Sequence, residues 1–128
     1  MEDYLEMICR MLRYTDVIRV HTLADNLHVK PSSASQMVGN LKERGYVEFK
    51  RYGHIAVTEK GRESGAYLLH RHQVLHQFLC VLNQSENELE QVEKIEHFIN
   101  AVTVANLEQL IPKLLGGAGK PPKEDLET

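Results

Sequence analysis

The sequence predicts a mainly α-helical protein with a small β wing, in which an N-terminal winged helix-turn-helix precedes an all-helical domain. Apolar residues recur at helical spacing on both sides of a central region, whereas YVEFK and HIAVT within that region alternate apolar and polar residues. Two short helices followed by a hairpin form the element order of a winged helix-turn-helix. With 128 residues, the chain is long enough for one domain or two small ones.

The first half is predicted to contain three helices and the hairpin. The first helix covers residues 3–14, and Thr22 is the expected N-cap of the second. Pro31 opens the third helix, where a missing backbone N–H costs nothing, and Gly45 ends it. The hairpin then turns at residues 51–53, between the two alternating segments.

The second half is predicted to be helical. A long helix follows the hairpin, a capping box from Ser85 to Glu88 opens the next helix, and a final helix is kinked or ends near Pro112. The last residues are rich in glycine, proline and charge, which predicts disorder. The predicted divisions are the winged helix-turn-helix at 1–62, the helical domain at 63–115 and a disordered tail at 116–128.

Composition favours a soluble cytoplasmic protein. Apolar residues make up 42% of the chain and charged residues 26%, and neither a membrane-spanning run nor a signal peptide is visible. Cys9 and Cys80 lack C-x-x-C spacing and are expected to be buried free thiols. The net charge of −3 argues against nucleic-acid binding over the whole surface. Basic residues nevertheless prevail from 30 to 62 and acidic residues from 84 to 108, which suggests two separate roles.

The third predicted helix has the composition of a DNA-reading helix. Short polar side chains at its start let the backbone N–H groups approach a phosphate, while Gln36 is suited to an adenine edge. Basic residues nearby would neutralise further phosphates. The candidate DNA-binding residues are Pro31, Ser32, Ser33, Ser35, Gln36, Lys42, Arg51, Tyr52 and His54. The alternative is a protein-interaction module without metal, in which the serines only cap the helix.

The segment QVEKIEHFIN, residues 91–100, raises the question of a metal site. If it is helical, Glu93, Glu96 and His97 share one face at i, i+3 and i+4. Such a face is often simply exposed to solvent and binds no metal. Apolar neighbours such as Val92 and Ile95 place this one next to the core, which favours a site.

Other helices carry donors of the same kind. Asp3 and Glu6 are spaced i, i+3 on the first helix, and His72 lies among apolar positions of the long helix. Each of these residues also has an ordinary explanation. Acids in the first turn of a helix usually complement its dipole, and a lone histidine among apolar residues is usually a hydrogen-bonded core residue. Together, carboxylates and imidazoles without a thiolate suit a cation such as Mn²⁺, although zinc and cobalt would also bind.

Five motifs give the chain a resemblance to the manganese transport regulators (MntR) of the diphtheria toxin repressor family, over about residues 1 to 115. They are EDYLE, VKPSSASQMVGNLKERGYV, TEKG, HRHQVLHQFL and VEKIEHFI. The resemblance implies a homodimeric repressor, not an enzyme, that uses Mn(II) as corepressor on a palindromic double-stranded operator of manganese uptake genes. It implies no membrane and no small-molecule substrate. The implied metal ligands are Asp3, Glu6, His72, Glu93, Glu96 and His97.

Bridging carboxylates would let this cluster hold two Mn(II) ions per subunit, for which Fe(II), Zn(II), Co(II) or Cd(II) can substitute. The iron-sensing branch of the family has methionine where Asp3 stands and cysteine where Glu93 stands, so the acids here favour manganese. The family's accessory metal site needs an acid at 76 and a histidine at 89. This chain has His76 and Leu89, which puts that site in doubt and leaves His76 either altering metal preference or facing solvent.

The hypothesis for the mechanism is that a cation ties the DNA-reading half to the dimerising half and thereby orients two reading heads. Dimerisation is expected through the fifth helix, by Leu89, Val92 and Phe98. An iron-responsive regulator of the same family is one rival. A di-metal hydrolase is another, but the sequence has neither a Gly-rich phosphate loop nor a G-x-S-x-G motif.

Overall fold

The computed structural model describes residues 1–50 and 53–118. They divide into two compact units: unit 1 is Met1–Leu69, and unit 2 begins at His70. The predicted fold class, mainly helical with a small β wing, is confirmed. The elements within the described residues are α1 (Glu2–Met11), α2 (Val20–Leu27), α3 (Pro31–Glu43), β1 (Val47–Phe49), β2 (Ile55–Val57), α4 (Glu59–Asn83), α5 (Leu89–Ile95), a 3₁₀ helix (Glu96–Phe98) and α6 (Ala101–Ala118).

Unit 1 has one apolar core, to which its three complete helices, the hairpin and the start of α4 contribute. The inward face of α3 consists of Ala34, Val38 and Leu41, which are fully buried, whereas Met37 is half-buried. Burial of this apolar surface is the main favourable term in the stability of such a unit. The buried residues of the core are Leu5, Ile8, Met11, Ile18, Leu23, Val38, Leu41, Val47, Ile55, Val57 and Leu68.

The end of α3 follows from the glycine predicted there. Gly45 has φ +83°, a conformation that side chains with a Cβ rarely adopt. The backbone N–H of Gly45 donates to the Lys42 carbonyl, and that of Tyr46 donates to the Leu41 carbonyl at 2.9 Å. These two bonds form a Schellman motif, which satisfies the last carbonyls of the helix and turns the chain into β1.

Two helix boundaries in unit 1 differ from the prediction. The N-cap of α2 is Arg19, so the prediction of Thr22 as N-cap is wrong; Thr22 lies inside the first turn. The α-helix α1 ends at Met11 rather than at residue 14. The N–H groups of Arg13 and Tyr14 bond three residues back, and Tyr14 is exposed, so no apolar contact extends the α-helix.

The hairpin pairs β1 with β2 antiparallel, with Val47 opposite Val57 and Phe49 opposite Ile55. Val47, Ile55 and Val57 are buried, as the alternating pattern predicts, whereas Phe49 is exposed. Arg51 and Tyr52, predicted to contact DNA, lie outside the described residues.

Unit 2 contains α4 from His70 onward, α5, the 3₁₀ helix and α6. Two apolar clusters hold these elements together, one formed with α6 and the other with α5. The buried residues are Val74, Val104, Ile111 and Leu115 in the first cluster and Leu75, Leu79 and Val92 in the second. Val92 is fully buried within its own chain, so the expectation that it contributes to dimerisation is wrong.

Two further boundaries in unit 2 need correction. The N-cap of α5 is Glu88, and the Ser85 hydroxyl donates to the Glu88 carboxylate at 2.7 Å, so the predicted capping box does not begin the helix. Helix α6 continues through Pro112 to Ala118 and so includes residues 116–118 of the predicted tail. Residues 119–128 lie outside the described part of the chain. Within residues 1–50 and 53–118, each helix is either too short or too polar to span a lipid bilayer.

Candidate metal centre and nucleic-acid interface

Four of the predicted ligands lie in unit 2, and the three that were predicted to share one α-helical face, Glu93, Glu96 and His97, do not share it. Helix α5 ends at Ile95, and the 3₁₀ helix takes over at Glu96. A 3₁₀ helix has three residues per turn rather than 3.6, so the angular spacing of side chains changes there. As a result Glu96 is buried, 3% exposed, while Glu93 and His97 are exposed.

His72 and Glu96 are brought together. His72 projects from α4, and its Nδ1 lies 3.5 Å from Glu96 Oε2. Both side chains are largely shielded from water, so their interaction is screened less than a surface pair would be. One carboxylate and one imidazole of the predicted set thus meet inside unit 2.

The charge state of Glu96 follows from its neighbours. Burial raises the pKa of the Glu96 carboxyl, but the hydrogen bond with His72 and the positive charge of His72, His97 and Arg71 outweigh it and hold the pKa below its usual value. The carboxylate is therefore ionised at neutral pH. An ionised carboxylate is the form that binds a cation.

One atom of Glu96 fits a bound cation directly. Glu96 Oε1 is buried and has no hydrogen-bond partner among the residues that the structure describes. Buried carboxylate oxygens are normally satisfied, because an unsatisfied acceptor costs free energy. A divalent cation would satisfy this oxygen, and the oxygen and nitrogen donors of Glu96 and His72 suit Mn²⁺. The residues present therefore fit a metal ion.

Arg71 is a residue that sequence reasoning missed. It precedes His72 on α4 and is only 3% exposed, and its Nη2 lies 3.4 Å from His97 Nδ1. A buried guanidinium is unusual unless it is paired. The available signal was its place between two histidines in HRH.

In unit 1, α1 carries the remaining two predicted ligands, Asp3 and Glu6. Glu6 is buried, and its Oε2 accepts a 2.7 Å hydrogen bond from Arg10 one turn later. Asp3 is exposed in the first turn, where a negative charge also complements the helix dipole.

His76 does not face solvent, so that alternative is wrong. It is buried on α4, and its Nε2 lies 3.5 Å from the sulfur of Cys80. Both cysteines of the chain are free; Cys80 is buried and Cys9 is half-buried. Burial raises the pKa of the Cys9 thiol, an effect that nearby arginines only partly offset, so this thiol is not activated.

The predicted DNA-reading helix exposes its first turns. Pro31 is the first residue of α3, and the polar side chains that follow it are exposed, while Ala34 turns into the core. This places short polar side chains and free helix-start N–H groups on the surface together. The exposed candidates at the helix start are Pro31, Ser32, Ser33, Ser35 and Gln36.

Two further DNA-binding candidates differ in accessibility. Lys42 is exposed, and its ammonium lies 5.7 Å from the centre of the Phe49 ring of β1. His54 is half-buried in a bridge with Arg19, and its Nε2 is shielded from solvent. Its ring is therefore not displayed at a wing tip, and Lys42 is the better placed of the two for a phosphate.

The chain matches models of both halves of one protein family. Residues 1–55 match the N-terminal DNA-binding domain of iron-dependent repressors, and residues 58–114 match the metal-binding and dimerisation domain of the same repressors. The chain is 35% identical over 112 residues to the HTH-type transcriptional regulator MntR of Geobacillus kaustophilus (strain HTA426), which covers 87% of this chain and 79% of that protein. It is 33% identical to the regulator of the same name from Bacillus subtilis (strain 168), with the same coverage.

The fold agrees with these relatives. A solved structure of the manganese regulator SloR is similar, with a TM-score of 0.76 and 26% identity over 87% of this chain. This chain spans 53% of that solved chain, about half its length. Because the relatives are transcriptional regulators, the prediction that the chain is not an enzyme is confirmed. The chain belongs to the diphtheria toxin repressor family of metal-dependent transcriptional regulators.

Proposed function

We propose that the protein is a manganese-responsive transcriptional repressor whose corepressor is Mn²⁺. Membership of the family supplies the DNA-binding and metal-binding classes, and relatives at about one-third identity are named MntR. The single observation that carries the metal function is the buried, unsatisfied Oε1 of Glu96, whose other oxygen faces His72.

The proposed ligands are the six residues of the sequence prediction. Glu96 and His72 have the strongest support, because both are shielded and lie 3.5 Å apart. When bound, a divalent cation supplies positive charge among the carboxylates. The proposed number is two Mn(II) ions per subunit. Fe(II), Zn(II), Co(II) and Cd(II) can substitute, and zinc and cobalt are expected to bind tightly, because raw affinity follows the metal series. The full set is Asp3, Glu6, His72, Glu93, Glu96 and His97.

The proposed ligands come from both units of the chain. Asp3 and Glu6 belong to the unit that contains α3, and the other four ligands belong to the unit that contains α5 and α6. We expect the metal-free carboxylates to repel one another, so that ligation by both groups favours the DNA-competent arrangement by a population shift. Affinity for DNA then rises without any new contact to DNA.

The proposed partner is double-stranded DNA, bound through α3. The exposed serines at the helix start would hold a phosphate and Gln36 would read a base edge, with Lys42 on a second phosphate. DNA binding implies a cytoplasmic protein. A two-fold homodimer would present two copies of α3 to a palindromic operator, which by resemblance controls manganese uptake genes.

For the homodimer, unit 2 offers an apolar surface. Phe98, Val102 and Leu89 are exposed in the single chain. Contiguous exposed apolar patches often mark an interface between protein chains. We propose that these three side chains, rather than the buried Val92, contribute to the dimer contact.

The direct test measures binding to a fluorescent palindromic promoter duplex by anisotropy while one cation is titrated at a time. Mn²⁺ is expected to raise affinity at lower concentration than Fe²⁺ under anaerobic conditions, and Mg²⁺ is expected to have no effect. A duplex with one scrambled half-site serves as the control. Equal affinity with and without Mn²⁺ would contradict the proposal, and a lower threshold for Fe²⁺ would favour the iron-responsive rival.

A further inference from the structure

The end of α3 is joined to the start of α4 by side chains of the TEKG segment, residues 58–61. Thr58 lies just before α4, and its hydroxyl donates to the Gly45 carbonyl at 2.6 Å. The same hydroxyl oxygen accepts from the backbone N–H of Gly61 at 3.0 Å, as the side chain of an N-cap residue does in the first turn of a helix. One hydroxyl therefore bonds both to the turn that ends α3 and to the first turn of α4.

Lys60 forms a second link between the same two helix ends. Its ammonium donates to the carbonyl of Arg44, the C-cap of α3, at 2.8 Å and lies 4.6 Å from the centre of the Tyr46 ring. A lysine in the first turn of α4 is disfavoured by the dipole of α4 itself, but a cation at the C-terminal end of α3 is favoured. The attraction between the ammonium and the aromatic ring adds to this effect. The charge of Lys60 is therefore engaged by the end of α3.

The two backbones also approach closely at this junction. The Thr58 N–H donates to the Tyr46 carbonyl at 3.1 Å, and a Cβ added at Gly61 would overlap the same carbonyl oxygen. The end of α3 therefore cannot turn about the start of α4 without breaking these contacts. Helix α4 continues to Asn83 and carries His72, one of the proposed metal ligands.

We propose that Thr58 and Lys60 are positioning residues for DNA recognition, which hold α3 at one angle to α4 so that an orientation set at His72 reaches the reading helix. In this role neither side chain touches DNA or the cation. The inference rests on the proposed manganese function. A loosely held reading helix is competent to bind DNA for only a fraction of the time, and apparent affinity falls in proportion to that fraction. Binding of Mn²⁺ itself does not depend on the two side chains.

The first test compares Thr58→Val and Thr58→Ser with the wild type. Valine keeps the shape of threonine without the hydroxyl, whereas serine keeps the hydroxyl. Thr103→Val, at an exposed threonine of α6, is the matched control. Affinity for the palindromic promoter duplex is measured by anisotropy with saturating Mn²⁺ and with a chelator in its place. Binding of Mn²⁺ without DNA is measured by electron paramagnetic resonance.

Thr58→Val is expected to lose about tenfold in DNA affinity with Mn²⁺, because a capping hydroxyl of this kind favours one backbone arrangement by about that factor. Its DNA affinity without Mn²⁺ and its Mn²⁺ affinity without DNA should equal those of the wild type. Thr58→Ser and Thr103→Val should keep the full Mn²⁺-dependent gain. If Thr58 contributed only to stability, folded Thr58→Val would also keep that gain, and this result would overturn the proposal. Failure of serine to restore the gain would do the same.

Lys60→Met separates positioning from contact with a phosphate. A positioning lysine should lower the Mn²⁺-dependent gain about threefold and leave the slope of log affinity against log salt unchanged, whereas a lost phosphate contact would flatten that slope by about 0.9. Lys113→Met, at an exposed lysine of α6, is the control. An unchanged gain or a flattened slope for Lys60→Met would overturn the proposal. Lys60 is exposed, so this variant decides the question even if Thr58→Val folds poorly.

A third measurement needs neither metal nor DNA. The backbone N–H groups of Tyr46 and Gly61 should exchange with solvent faster in metal-free Lys60→Met and Thr58→Val than in the two controls, because the junction that protects them is loosened. Equal exchange rates would refute the junction. Failure of the proposed function looks different: the wild type itself would then bind DNA equally well with and without Mn²⁺, while the difference in exchange rates would remain.

Discussion

His72 Nδ1 and Glu96 Oε2 lie 3.5 Å apart, and this pair joins helix α4 to the 3₁₀ helix that follows α5. The two residues are 24 positions apart in the sequence, by the difference of their numbers, and each comes from a segment with a different local conformation. Their proximity requires packing of α4 against α5, which the cluster of Leu75, Leu79 and Val92 provides. The candidate metal centre is thus built on the core of unit 2.

Replacing Glu96 by Gln should remove the ionised oxygen that a cation needs while keeping the shape of the side chain. Because loss of residues that merely orient ligands costs 10–100-fold in affinity, we expect a loss of about 100-fold or more for Mn²⁺. Isothermal titration calorimetry measures it. Glu90→Gln is the control, since Glu90 is exposed and pairs only with Lys94 among the contacts described. Equal losses in both variants would argue against the centre.

Replacing Lys42 by Gln should weaken binding to all DNA sequences alike, because a phosphate contact carries no base information. The slope of log affinity against log salt should flatten by about 0.9 for one lost contact. Lys94→Gln, an exposed lysine of unit 2, should leave the slope unchanged. A slope for Lys42→Gln equal to that of the wild type would remove Lys42 from the interface.

Replacing Phe98 by Glu should weaken the proposed homodimer. Phe98 is 86% exposed in the single chain, and the few residues that dominate an interface each contribute about 2 kcal/mol or more. Tyr14→Glu is a matched control, since Tyr14 is equally exposed but lies in unit 1. Sedimentation velocity at several concentrations distinguishes the two variants. A Phe98→Glu protein that stays dimeric at the wild-type concentrations would place the interface elsewhere.

Replacing Gly65 by Ala should destabilise unit 1, because an added Cβ would overlap the Cys9 sulfur of α1. Overpacking of this kind costs about 1–3 kcal/mol. Gly39→Ala has the opposite expectation: the space around Gly39 is open, and alanine favours a helix interior by up to about 1 kcal/mol. Urea unfolding of both variants measures the difference, and a Gly65→Ala protein as stable as the wild type would show that Cys9 moves aside at little cost.

Replacing Asp3 by Met should shift the response towards iron, as the resemblance implies. A thioether is a softer donor than a carboxylate and is less suited to Mn²⁺. DNA binding titrated with Mn²⁺ and with Fe²⁺ gives the ratio of the two thresholds, and that ratio should fall in favour of iron. An unchanged ratio would mean that Asp3 does not determine the choice of metal.

The sequence predicted helices and strands correctly where a single feature, such as a proline, a glycine or an alternation of apolar residues, determined the local structure. Pro31 and Gly45 correctly bounded α3, and the alternation around Val47 and Val57 correctly gave the hairpin. Prediction failed where two signals competed, as at Thr22, which is a good N-cap residue but lies inside a helix that begins at Val20. The backbone hydrogen bond from the Leu23 N–H to the Arg19 carbonyl begins the helix before Thr22.

The candidate centre was predictable in composition but not in geometry. Helical periodicity grouped Glu93 with Glu96 and His97, whereas the change to a 3₁₀ helix at Glu96 buries that residue alone. Sequence periodicity assumes one helix type throughout and cannot register such a change. Arg71 was missed for a different reason: a charged residue beside two histidines is expected on a surface, and only tertiary packing buries it.

The short 3₁₀ helix that carries Glu96 has an evolutionary consequence. Its last bond, from the Ile99 N–H to the Glu96 carbonyl, is long at 3.3 Å, and hydrogen bonds of this helix type have poorer geometry than those of an α-helix. Exchanges confined to these three residues can therefore move the Glu96 carboxylate while α5 and α6 keep their packing. Under the proposed metal function, selection for a different ion would begin in this turn.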